Sequence, residues 1–143
     1  MLYYLSLGAN IGNREQSIRT AIQSIEQHIG HVPRCSSFYY SAPWGFESEN
    51  EFCNVCCALE STKQPLEVLH ATQEIERQLG RVQKSTIKNQ KSKIYSDRSI
   101  DIDIIRAFDG EKEICIDTDE LHIPHPLWQL RDFVKIPLSE IKV

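Results

Sequence analysis

Apolar and polar positions alternate most strictly between Arg98 and Ile105, where Ile100, Ile102 and Ile104 interleave with Ser99, Asp101 and Asp103. A period of two with β-branched residues predicts a strand with one buried face. The rest of the chain sorts around it. Tyr3 to Leu7 predicts a first strand, ending in the turn from Gly8 to Asn13, whose Gly and Asn residues tolerate positive φ. Asn13 suits a helix N-cap with Gln16 three residues on, and Ile18, Ile22, Ile25 and Ile29 then form one helical stripe that Gly30 stops. Cys35 to Tyr40 predicts a second strand and Phe52 to Glu60 a third. On the third, Phe52, Asn54 and Cys56 share one face; Cys53, Val55, Cys57 and Leu59 share the other, the core face. Pro65 opens a second helix with the stripe Val68, Thr72, Ile75, Leu79, ended by Gly80. After the Asp109–Gly110 turn, Glu113 to Asp117 predicts a further strand, and Leu127 to Phe133 a short helical turn.

Strand, helix, strand, strand, helix, strand is the order of a split βαβ, ferredoxin-like α+β fold. The expectation is a mainly antiparallel sheet with helices packed on one face and an open substrate face lined by Asn54, Asp101 and Asp103. A length of 143 residues fits one domain spanning residues 1–143.

Composition narrows the function classes. The chain is ordinary for a soluble globular protein, with 41% hydrophobic and 25% charged residues, and no apolar run approaches a membrane span. No basic-then-apolar leader opens it, so a cytoplasmic protein is expected. Five cysteines are an odd number, which argues against a fully paired secreted framework. Cys53 and Cys56 lie three apart on a strand, on opposite faces, and so read as thiols rather than zinc ligands. The net charge of −4 hides a basic run: Arg81, Lys84, Lys88, Lys91, Lys93 and Arg98 against the single acid Asp97. It is either a solvated loop or a polyanion site beside the carboxylate strand.

Asp101 and Asp103 project from one face of a strand, roughly 6–7 Å apart. At an effective dielectric near 20 they repel by about 2–3 kcal/mol. A divalent cation would relieve this, and oxygen-only ligands suit Mg²⁺ completed by water and phosphate oxygens, or two such ions as used in phosphoryl transfer. The alternative is an acidic solvated face. The loop Ser41-Ala42-Pro43-Trp44-Gly45-Phe46 either covers a flat ligand or folds on its own aromatics. Asn54, an amide beside an aromatic, either reads the edge of a heterocycle or satisfies a neighbouring loop backbone. Gln73 and Glu76 by themselves are unremarkable surface residues. His122 and His125 sit in a Pro-broken loop that argues against a metal site.

These fragments in this order resemble one family. Leu7-Gly8-Ala9-Asn10, Ser36-Ser37-Phe38-Tyr39, Pro43-Trp44-Gly45, Phe52-x-Asn54, Gln73-x-x-Glu76-x-x-x-Gly80-Arg81, Arg98-Ser99-Ile100-Asp101-Ile102-Asp103, Pro124-His125-Pro126, Arg131-x-Phe133 and Pro137-Leu138 cover nearly the whole chain. It resembles the hydroxymethyldihydropterin pyrophosphokinases of folate synthesis. The resemblance implies transfer of pyrophosphate from ATP to 6-hydroxymethyl-7,8-dihydropterin, leaving AMP, by a monomer. It implies that Asp101 and Asp103 hold two Mg²⁺ ions and, with Arg81 and Arg98, form the catalytic group. Gln73, Glu76, Arg81, Lys84, Arg98, His125 and Arg131 would face ATP. Ser41, Ala42, Pro43, Trp44, Phe52, Asn54 and Phe133 would face the pterin, with the two Phe rings sandwiching it. The chain departs from the family pattern at Gln83, where a second Arg is common, at Ala42, where Pro is common, and in a longer loop from Ser85 to Asp97.

Two rival readings use the same residues. Another metal-dependent phosphotransfer enzyme or phosphodiesterase would use the aspartates but leave Phe52, Asn54 and Phe133 without a role. A single-stranded nucleic-acid module would use an open sheet with aromatics and a basic loop. Against it stand a pI near 5.7 and two Asp where a phosphodiester backbone would lie.

Overall fold

In a computed structural model the described residues are 1–42, 51–84 and 100–141, those at 81–84 by their backbone alone. β1 (Leu2–Ala9) leads through a turn with Gly12 at φ 68° into α1 (Arg14–His28). Asn13 caps α1 as its sequence predicts, its side chain accepting the Gln16 N–H at 3.2 Å. Gly30 follows because a side chain there would strike the Glu60 carbonyl, 2.2 Å from the Cβ position. β2 (His31–Cys35), β3 (Tyr39–Ser41), β4 (Phe52–Glu60) and α2 (Pro65–Lys84) come next. Then follow β5 (Asp101–Asp109), β6 (Lys112–Glu113), β7 (Ile116–Asp117), β8 (His122–Ile123), a 3₁₀ turn at Trp128–Leu130 and α3 (Asp132–Ile141).

Among these residues the main sheet has the order β2-β4-β1-β5-β6, with β3 also paired to β4, and its pairings are antiparallel. This is the expected split βαβ arrangement: β4 returns between β1 and β2. α1 and α2 close one face over Tyr3, Leu5, Leu7, Cys53, Val55, Cys57, Leu59, Ile102 and Ile104. The alternation of β4 and β5 therefore falls on the predicted faces.

Four local expectations change. The single strand predicted from Cys35 to Tyr40 is two, because the ladder ends at Ser36: its N–H still donates to the Cys56 carbonyl at 2.8 Å, but the Cys56 N–H donates back to the Ser36 Oγ, at 3.0 Å. α2 does not stop at Gly80 but runs to Lys84, since one interior Gly costs a helix only about 1 kcal/mol. The strand predicted from Glu113 to Asp117 divides between two sheets, β6 pairing with β5 and β7 with β8. Finally, the chain after Arg131 is a helix, α3, which lays Val134, Leu138 and Ile141 against Tyr4, Cys56, Ala58 and Ile105 on the second face. Among the described residues, α3 therefore covers part of the face that was expected to be open.

Between Tyr4 and Leu5 the β1–β5 register slips, Tyr4 facing Arg106 and Leu5 facing Ile104, which makes Ile105 the extra residue of a bulge. Ile105 turns into the α3 core, and its carbonyl accepts the His125 N–H at 2.8 Å. The bulge ties the C-terminal segment to the carboxylate strand.

Candidate active site

The register places the acidic strand beside the amide. Gly8 of β1 faces Asn54 of β4 on one side and Asp101 of β5 on the other, and Ser6 faces Cys56 and Asp103. Both rows project to the same side of the sheet, because side chains two apart share a face. A Cβ at Gly8 would sit 3.1 Å from Asn54 Oδ1 and 3.6 Å from Phe52 Cδ1, so the glycine lets the amide and the ring approach the central strand. Gly8 was expected to open the turn, but β1 continues through it to Ala9, and this strand glycine joins the candidate site without having been singled out by its sequence.

Asn54 is buried, and its Nδ2 donates to the Tyr39 carbonyl at 3.1 Å and to Ser41 Oγ at 2.9 Å. The amide therefore satisfies a neighbouring backbone, fixing β3 and with it Ser41, which pairs in register with the half-buried Phe52. Ala42 follows, exposed.

Glu76 departs from its reading as a plain surface residue. From α2 it is half-buried and accepts the Ile102 N–H at 2.6 Å. That N–H lies on the side of β5 away from β1, where β6, paired only at Phe108 and Asp109, does not reach. Burial, then the charge of Asp101, with Asp103 adding to it, pushes the Glu76 carboxyl up to about 8. A hydrogen bond to Asp101 raises it further, as expected when one proton is shared between the two acids. Gln73, one turn earlier, is exposed.

The opposite charge comes from the C-terminal segment. Arg131 is buried, 9% exposed, and its guanidinium lies 5.7 Å from the Phe133 ring centre. His125 is held below its usual range by burial and then by the Arg131 charge, while Asp101 acts the other way, so the three groups feel one another. His125 Nδ1 accepts the Leu127 N–H at 3.2 Å, which leaves the ring proton on Nε2. His122, by contrast, is exposed and paired with Asp117.

Pro43, Trp44 and Arg98, and the side chains of Arg81 and Lys84, lie outside the described residues; Arg81 and Lys84 belong by their backbone to the last turn of α2. Cys53 and Cys56 point into different cores, as their spacing predicts. Among the described residues no three or more His, Cys, Asp and Glu side chains form a metal-holding group. The donor set nevertheless fits a hard cation of the Mg²⁺ kind, which needs only one or two protein carboxylates when phosphates supply the rest. The negative crowding that pushes the Glu76 carboxyl up is the field such a cation would neutralise.

The model of the family described as 7,8-dihydro-6-hydroxymethylpterin-pyrophosphokinase matches residues 4–143. A 2-amino-4-hydroxy-6-hydroxymethyldihydropteridine pyrophosphokinase of Porphyromonas gingivalis is 43% identical over 141 residues, covering 98% of this chain and 90% of that protein. The protein of the same name in Bacillus subtilis is 36% identical over 139 residues, covering 96% and 76%. In fold, the chain is similar to a solved structure of an HPPK-DHPS in complex with substrates, with TM-score 0.64 at 15% identity, spanning 98% of this chain and 40% of that longer one. Among the described residues no helix is long and apolar enough to cross a membrane. By these matches, the chain belongs to the 7,8-dihydro-6-hydroxymethylpterin-pyrophosphokinase family.

Proposed function

We propose that the chain, as one domain over residues 1–143, transfers the pyrophosphoryl group of ATP to the hydroxymethyl oxygen of 6-hydroxymethyl-7,8-dihydropterin, giving AMP and the pterin diphosphate. Family membership makes it an ATP-dependent pyrophosphokinase of folate synthesis, and does not favour the nucleic-acid or phosphodiesterase readings. The observation that supports the site assignment is the row Asn54, Gly8, Asp101, in which an amide on β4 and a carboxylate on β5 flank a side-chain-free position of β1 on one sheet face.

In this reading Asp101 and Asp103 hold Mg²⁺, two ions in the full complex, which would offset the charge of the ATP phosphates. Gln73, Glu76, Arg81, Lys84, Arg98, His125 and Arg131 line the ATP side, where Arg81 and Arg98 steady the phosphates. Ser41, Ala42, Pro43, Trp44, Phe52, Asn54 and Phe133 line the pterin side. The hydroxymethyl oxygen bonds to the β-phosphorus and gives up its proton to solvent, the bond from the β-phosphorus to the α-phosphate oxygen breaks, and AMP leaves. Such a transfer needs positioning and charge neutralisation more than a base. Substrates are small molecules, and the reading carries with it a cytoplasmic monomer.

Incubation with ATP, MgCl₂ and the pterin, followed by chromatography, tests this. Pterin-dependent AMP with no ADP is expected; ADP, or phosphate released without pterin, overturns it.

A further inference from the structure

Five free thiols stand among the described residues, and two of them face each other across strands: Cys35 near the end of edge strand β2 and Cys57 in β4. The Ser36 N–H to Cys56 carbonyl bond makes that neighbouring pair the hydrogen-bonded one, so Cys35 and Cys57 form the non-hydrogen-bonded pair, where side chains come closest. Such pairs have Cα atoms about 4.5 Å apart, inside the range of about 4.4–6.8 Å that a disulfide spans. From this geometry we propose that Cys35 and Cys57 are a redox modification site, joined by a reversible disulfide when the protein meets a peroxide.

The two sulfurs are unequal in the way this chemistry requires. Cys35 is exposed and Cys57 is fully buried behind it. A hydrogen bond from the Cys57 thiol holds Cys35 below its ordinary range, against opposing effects of burial and of Glu26, while the same bond and burial push Cys57 well up. Cys35 is thus the thiolate that attacks. Its sulfur takes one oxygen of hydrogen peroxide, the O–O bond breaks, and water leaves after proton transfer, giving a sulfenic acid. Cys57 then attacks that sulfur; the S–S bond forms, the S–O bond breaks, and a second water departs. Two thiols and one peroxide yield one disulfide and two waters. The bond would close a loop that carries Ser41, Phe52 and Asn54, stapling the edge strand to β4 at its base. Cys115, the other exposed thiol, has no cysteine registered opposite it in the sheets described.

The test treats the full chain, with Cys115→Ser to remove the second exposed thiol, with hydrogen peroxide and follows intact mass, non-reducing peptide maps and thermal unfolding. Loss of two hydrogens per chain, a Cys35–Cys57 linked peptide, a Tm raised by several degrees and reversal by dithiothreitol are expected. Cys35→Ser, a change at an exposed edge, should keep the reduced protein's Tm and lose all peroxide-dependent changes. Four thiols that still alkylate in denaturant after peroxide, Cys35 and Cys57 among them, or Cys35 ending as an unlinked oxidised acid, would overturn the proposal.

Discussion

Glu76 reaches from α2 to the backbone of Ile102 on β5, accepting its N–H at 2.6 Å between the two aspartates of the strand. One carboxyl thus caps a stretch of β5 that no described strand pairs on that side, and sits inside the negative field that a metal would use. In the folded protein its titration moves up to about 8, whereas unfolded it titrates near 4.5. The folded state therefore binds the extra proton between those values, and stability falls as pH rises from about 5 to 8, levelling above. Urea unfolding of the metal-free protein should show this slope. Glu76→Gln, which can still accept the Ile102 N–H, should flatten it; an unchanged slope would place the titration elsewhere.

Gly8→Ala should hinder the pterin side selectively. Its Cβ would press on Asn54 Oδ1 at 3.1 Å, and Phe52 is next in line at 3.6 Å. Overpacking of this kind costs about 1–3 kcal/mol, so the variant should fold with a lowered Tm. Steady-state kinetics should show KM for the pterin rising roughly tenfold or more, equivalent to about 1.4 kcal/mol, with KM for ATP much less affected.

Asn54→Ala removes both donors to β3, leaving the Tyr39 carbonyl and Ser41 Oγ without them. An unmade buried hydrogen bond costs about 1–3 kcal/mol. Chemical denaturation should register that loss, and pterin affinity should fall with it, because β3 carries Ser41 into the site.

The helices and β4 were legible because each repeats one period long enough to read: Ile18, Ile22 and Ile25 on α1, or Cys53, Val55, Cys57 and Leu59 on β4. The acidic pair was legible for the same reason, since alternation alone puts Asp101 and Asp103 on the face opposite Ile102 and Ile104. α3 was not. Its stripe of Val134, Leu138 and Ile141 is there, but Pro137 sits inside it and masks the pattern, although the helix accommodates this proline. Glu76 was missed as a buried acid because its burial depends on where β5 ends its pairing, a long-range property that no local window contains. Gly8 was overlooked since its contribution is the absence of a side chain.

Leu138→Ala should measure what α3 contributes. Leu138 is 1% exposed in the core with Tyr4, Cys56 and Ile105, and truncation of such a leucine costs about 2–5 kcal/mol. A shift of the denaturation midpoint of that size with an unchanged slope is expected; a loss below about 1 kcal/mol would mean that α3 is peripheral to the fold.

On the proposed function, the carboxylates of β5 carry a metal-dependent pyrophosphoryl transfer. Pterin-dependent AMP formation should be compared in the wild-type chain, Asp101→Asn and Asp103→Asn at saturating ATP and Mg²⁺, with circular dichroism confirming the fold. Each variant should fold and lose turnover by roughly 10²-fold or more, as removal of a group that stabilises transition-state charge does. Folded variants that form AMP at the wild-type rate would contradict it.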